Sequence, residues 1–246
     1  MPHIEIGAEK LFSVFGLPIT NSLLLTWAVV LLIVISIQTM SRKMSLVPKG
    51  FQNLVESAVE ALIDFMKETL HSEKKAIQYL PYIGTFFLMI VISNWAGILP
   101  GVGSIGLRET NATGSFITPF LRSPASDLNF TLALAVISTI AINVFGIAAV
   151  GMKKHVSKFF NFSNPINFFV GILEFIGEFA KLVSLAFRLF GNVFAGEVLL
   201  IIVGFLAPYI APVPFLILEL FVGAIQALIF ATLTMVFISI AVEDHA

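Results

Sequence analysis

Five ionisable side chains stand within one apolar stretch of the chain, residues 166–208: Glu174, Glu178, Lys181, Arg188 and Glu197. A second apolar stretch, 213–242, holds Glu219 and Gln226. Charged groups inside a bilayer are costly, so they mark ion paths, proton relays or internal ion pairs. Arg188 is the most telling of them. A guanidinium keeps its proton in proteins, and the positions three and four residues away are Ser184, Leu185, Gly191 and Asn192, none of them acidic. Its counter-charge must therefore come from a distant acid or from another chain. Glu178 and Lys181, three residues apart, read as a local ion pair. Gly191, Ala195 and Gly196 let another backbone approach closely. They fit either packing within the chain or a smooth surface along which a second protein slides.

Helix geometry separates these groups. Glu197 lies nine residues past Arg188, about 13 Å further along a helix and about 180° around it, so the two serve different faces. Glu219 and Gln226 fall on one helical face, about 10 Å apart along the axis. With Asn192 and Glu197 they can line a narrow polar path. Glu174 lies 14 residues before Arg188 on roughly the same face, toward the other end. Each acid alone is more often a packing residue near a helix end; together they are harder to dismiss.

The elements that carry these groups follow from composition. Of 246 residues, 58% are hydrophobic and 12% charged, with mean hydropathy +0.98. Soluble domains carry about 25% charge; this chain has too little polar surface for a water-facing globule and reads as a multi-pass, all-α membrane protein. A net charge of −1 gives nucleic acid nothing to bind. With no cysteine, disulfides, iron–sulfur clusters and thiolate metal sites are out. His3, His71, His155 and His245 all lie outside the centres of the apolar runs, which argues against paired haem ligation. No metal or cofactor is expected, and no phosphate-binding G-x-x-x-x-G-K-[ST] loop occurs.

Residues 1–21 lack the pattern of a cleavable signal. Spans are expected at 22–40, 82–100 and 128–152. Residues 51–71 differ: Phe51, Leu54, Val55, Ala58, Leu62, Phe65 and Met66 share a face and the polar residues lie elsewhere, as in a surface helix. Residues 101–126 read as a Gly/Ser/Thr/Pro-rich loop, and 153–164 as a short polar segment. The stretch 166–208 is about 64 Å long as one helix, twice the bilayer core of about 30 Å. Its middle has no proline or polar turn cluster, so it is expected to be one long helix, steeply tilted. The segment 207–214, APYIAPVP, supplies the turn, and 213–242 returns as a second tilted helix. All of 1–246 then forms one membrane domain.

Basic residues concentrate between the first two spans (Arg42, Lys43, Lys49, Lys67, Lys74, Lys75) and after the third (Lys153, Lys154, Lys158), while 101–126 has only Arg108 and Arg122. The positive-inside rule puts the N-terminus outside and the C-terminus inside. No internal repeat is visible, which weakens a reading as an inverted-repeat transporter. Such a transporter, or a passive membrane anchor, would leave the lone arginine and the two over-long helices unexplained.

The segment SLAFRLFGNVFAGEVLL (184–200) resembles the signature of subunit a of F-type ATP synthases, and GAIQALIFATLTMVFISIAVEDH (223–245) resembles that family's C-terminal helix. The order of span, surface helix, hairpin and long tilted hairpin is also similar, and the likeness covers nearly the whole chain. The resemblance implies a proton-translocating, non-catalytic stator subunit working against a ring of c-subunits, beside peripheral-stalk b subunits and the rest of the complex. Arg188 then matches the essential stator arginine. Asn192, Glu197, Glu219 and Gln226 match positions lining a half-channel open to the outside, and Glu174 an acidic position near one open to the inside. Glu219 stands where some members have histidine, so it either relays protons or only hydrates the path. The implied location is a bacterial plasma membrane ahead of a plastid thylakoid. Whether the ion is a proton or sodium, and the ring's size, depend on the ring.

Overall fold

The structure, a computed structural model, describes residues 7–42, 44, 45, 47–111, 114–159 and 164–243. Of the residues singled out above, His3, Lys43 and His245 lie outside the described ones, as do 160–163 of the polar segment. The element order is β1 (Lys10–Val14), β2 (Leu17–Thr20), α1 (Asn21–Ser41), α2 (Phe51–Leu70), α3 (Glu73–Ile98), β3 (Gly106–Asn111), β4 (Gly114–Pro119), a 3-10 turn (Pro124–Ser126), α4 (Leu128–Val150), α5 (Met152–Phe159), α6 (Pro165–Leu206) and α7 (Pro212–Glu243). Five of the helices, α1, α3, α4, α6 and α7, are long and apolar enough to cross a membrane. The protein is an all-α membrane protein.

The 42 residues of α6 run without a break. Pro165 sits in the first turn, where its missing N–H costs nothing, and nothing between 182 and 196 interrupts the ladder. At about 1.5 Å per residue the helix is about 63 Å long. α7 begins at Pro212 and packs back along α6 and, most extensively, along α3.

Three departures from the sequence reading have local causes. The helix expected at 82–100 begins at Glu73: the Ser72 hydroxyl accepts from the Lys75 N–H to cap it, and Ala76 and Tyr79 bury against α2, so the turns before Pro81 stay helical. Residues 101–126 are not only loop. β3 and β4 form an antiparallel hairpin, and β1 and β2 form another ahead of α1. The helix expected at 128–152 stops at Gly151, whose φ of +88° lies in the left-handed region that favours glycine. The chain there turns into the short α5.

The core forms where α3, α4, α6 and α7 meet. Phe86, Ile90, Leu134, Ala135, Leu185, Leu189, Ala227 and Phe230 make one cluster. A second brings the C-terminal half of α2 (Leu62, Met66, Leu70) onto Ile83, Ile142, Met235 and Ile238. The apolar face of α2 therefore has two fates: Met66 is fully buried in protein, while Leu54 remains exposed. α1 is held loosely, through Leu25 and Val29 against Ala96. Polar bridges cross the core. Asn94 Nδ2 donates to the Gly223 carbonyl at 2.9 Å, and Ser138 pairs with Thr234 at 2.9 Å.

Candidate functional site

The middle of α6 has two unlike faces. Leu185, Ala186, Leu189, Val193 and Gly196 are buried against the bundle. Ser184, Arg188, Gly191, Asn192, Ala195 and Leu199 are exposed, and their spacing puts them in one strip down the helix. Arg188 is the only charge on that strip. Its Nη2 donates to Ser184 Oγ at 3.2 Å, and among the described residues it makes no ion pair. The guanidinium thus stands on a surface of small and apolar side chains with a hydroxyl for company and no acid.

The other expected residues fall into three groups. Asn192 reaches across to α7, where its Nδ2 donates to Gln226 Oε1 at 2.6 Å. Gln226 is almost fully buried, so this bond gives its amide oxygen a partner and fixes the α6–α7 spacing beside Arg188. Glu197 and Glu219 share a cavity of about 610 Å³ with Glu9, Asn94 and Arg122, walled partly by the loop 99–104. Glu219 lies so close to Gly196 that a methyl group there would fall on its carboxylate, which would have to move aside. Toward the opposite end of α6, Glu178 accepts from Lys181 Nζ at 2.8 Å, the pair expected from their spacing. The Lys181 ammonium also lies 5.1 Å from the centre of the Phe237 ring on α7. Glu174, half-buried, stands one turn before Glu178.

The single polar path expected for Asn192, Glu197, Glu219 and Gln226 is thus divided. Asn192 and Gln226 form a bridge between helices, whereas the two acids face the cavity. Arg188 and Glu197 do not meet, in line with the 180° between them. Glu197 has its own cation: Arg122 Nε lies 3.3 Å from its Oε1. The positive-inside count treats Arg122 as a loop charge, yet it is only 6% exposed. Sequence reasoning also left Glu9 and Asn94 outside the site. Arg122 carried one usable signal, as the cation nearest the start of α4 in an otherwise uncharged turn, but nothing local names Glu197 as its partner.

The ATP synthase A chain family model matches residues 23–239, from the first turn of α1 to near the end of α7. The chain belongs to that family. It is accordingly an integral membrane subunit of an ATP synthase and serves ion translocation there, ATP synthesis itself being carried out elsewhere in the complex. Within the matched span lie an arginine on an open helix face and a cavity lined by acids. Both sit on the same helix, α6, within three turns of one another.

Proposed function

We propose that this chain is the stator of an F-type ATP synthase, offering two offset aqueous half-channels to the carboxylates of a rotating c-ring, with Arg188 between them. The observation that carries this reading is the exposed strip of α6. A permanent cation on a smooth, apolar helix face, with no acid from its own chain, is an unfinished interaction. A passing carboxylate on another subunit would complete it.

The rest of the arrangement supports the offset. The cavity holding Glu197 and Glu219 serves as the outer half-channel, and the Asn192–Gln226 bond ties the strip to α7. The Glu174–Glu178 end serves the inner one. Along α6, Glu174 lies about 21 Å before Arg188 and Glu197 about 13 Å after it, so the arginine stands between the two acidic ends. A proton from the outer side neutralises a ring carboxylate, which then turns into lipid. It is released on the inner side nearly a full turn later. Arg188 favours the ionised carboxylate and blocks direct passage.

The arginine's grip must be moderate. At about 4 Å and an effective dielectric near 20 one ion pair is worth about 4 kcal/mol. A proton crossing 100 mV supplies about 2.3 kcal/mol. A hydrated, transient contact lets the ring step; a short, dry, two-toothed one in every rotational state contradicts the scheme. The distribution of basic segments supports an N-terminus outside and a C-terminus inside; on this reading the chain lies in a bacterial plasma membrane, with peripheral-stalk b subunits restraining it and α6 and α7 lying steeply tilted. The chain itself performs no ATP chemistry. In whole complexes reconstituted into vesicles, Arg188→Ala abolishes synthesis driven by an imposed proton gradient and permits passive leak. Synthesis persisting at near wild-type rate refutes the proposal.

A further inference from the structure

We infer that Arg122 is a positioning residue for proton uptake, one that holds Glu197 in the cavity by one carboxylate oxygen and leaves the other for the arriving proton. The inference rests on the proposed role of the cavity as the outer half-channel. Three segments distant in sequence converge on this guanidinium. Its Nη1 donates to the Gly7 carbonyl at 2.7 Å, its Nε donates to Ser126 Oγ at 3.2 Å, and the same Nε lies 3.3 Å from Glu197 Oε1. The N-terminal segment, the 3-10 turn and α6 are thereby fastened at one point on the cavity wall. Such a fixed fork suits arginine better than lysine, whose ammonium is a compact point charge on a flexible stem.

The two oxygens of Glu197 are not equivalent. Oε1 faces Arg122, whereas Oε2 is buried and has no hydrogen-bond partner. A buried carboxylate oxygen without a partner is costly, and in a cavity of this size it is a natural acceptor for water or a proton. Arg122 anchors one oxygen and so orients the other. The remaining charged groups on the cavity wall are Glu9 ahead of β1 and Glu219 on α7. Glu9 is engaged with Asn21, whose Nδ2 lies 3.4 Å from its Oε2. Glu219 forms no ion pair among the described residues. Among the described residues, no second cation lines the cavity wall.

The test uses the whole ATP synthase in vesicles, with rates normalised to the amount of this subunit assembled. Arg122→Gln should slow gradient-driven synthesis about tenfold per complex, the scale expected when an ionised group loses its buried partner, and Arg122→Lys, which keeps the charge without the fork, should recover only part of it. In combination with Glu197→Gln the losses should be strongly non-additive, because the two side chains act as one unit. An unchanged per-complex rate in Arg122→Gln, or losses that simply multiply in the double variant, overturns the inference. Arg188→Ala in the same preparation separates the two levels. If it leaves coupling intact, the stator reading itself has failed; if it abolishes coupling while Arg122 and Glu197 act independently, only the positioning role has.

Discussion

Two arginines of this chain have opposite surroundings. Arg122 is buried, fastened to Gly7, Ser126 and Glu197, and its charge is balanced within the fold. Arg188 is exposed on α6, touches Ser184, and finds no acid among the described residues. The difference teaches where each charge is used. A buried arginine with its own carboxylate is a structural joint, and breaking it leaves a stranded ion inside the protein. An exposed arginine in an apolar surface contributes nothing evident to this chain's fold, so its value must lie in an encounter with something else.

That contrast is sharpest when both are replaced by leucine. Arg188→Leu should abolish coupled ATP synthesis, as expected for Arg188→Ala, while leaving the thermal midpoint of the solubilised complex unchanged. Arg122→Leu should differ in kind, lowering stability as well as the per-complex rate. Removing one partner of a buried pair costs about 3–5 kcal/mol, so the midpoint and the yield of assembled complex should fall clearly. Thermal unfolding followed in detergent beside synthesis assays in vesicles separates the two effects. A destabilised Arg188→Leu, or a fully stable Arg122→Leu, would erase the distinction.

A smaller effect probes the cavity shared by both sides of the comparison. Gly196 backs onto the Glu219 carboxylate, and a Cβ there collides with it. Gly196→Ala should displace that carboxylate and slow proton uptake several-fold, on the scale of the 1–3 kcal/mol that overpacking a tight site costs. Shortening the acid in the double variant Gly196→Ala/Glu219→Asp should restore part of the rate. Vesicle acidification driven by ATP hydrolysis measures both, and a double variant slower than Gly196→Ala alone would move Glu219 away from that contact.

How much of this was legible in the sequence depended on whether the cause was local. The unbroken α6 could be read because residues 182–196 offer no proline and no turn. The isolation of Arg188 could be read because its neighbours at helical spacing are fixed by the sequence itself. The Arg122–Glu197 joint could not, since its partners come from a turn and a helix far apart in the chain, and a cation in a loop between spans is ordinarily assumed to face water. The division of Asn192 and Gln226 from Glu197 and Glu219 depends on how α6 rolls against α7, which the buried Leu189, Val193 and Gly196 settle through packing rather than pattern. Pro81 looks like a helix boundary until Ala76 and Tyr79 are seen buried against α2.

The smallest effect comes from a third cation, in a partly exposed pair outside the spans. Lys67 near the end of α2 lies 3.0 Å from Glu73 at the start of α3 and 3.7 Å from Asp64. The hydrogen bond to the Glu73 carboxylate raises its pKa above the usual lysine range, against an opposing desolvation and with the charges of Glu73 and Asp64 adding to the rise. A raised folded-state pKa means that the pair's contribution is fully present below the ordinary lysine pKa of about 10.4 and fades as the pH climbs through the folded value. Because the pair is exposed and screened by salt, it contributes little at any pH. Glu73→Gln should therefore shift the thermal midpoint barely at pH 7, and the small difference from wild type should vanish above the lysine range. A shift at pH 7 as large as that of Arg122→Leu would mean that burial does not decide what a cation contributes in this protein, and the contrast between the two arginines would need another cause.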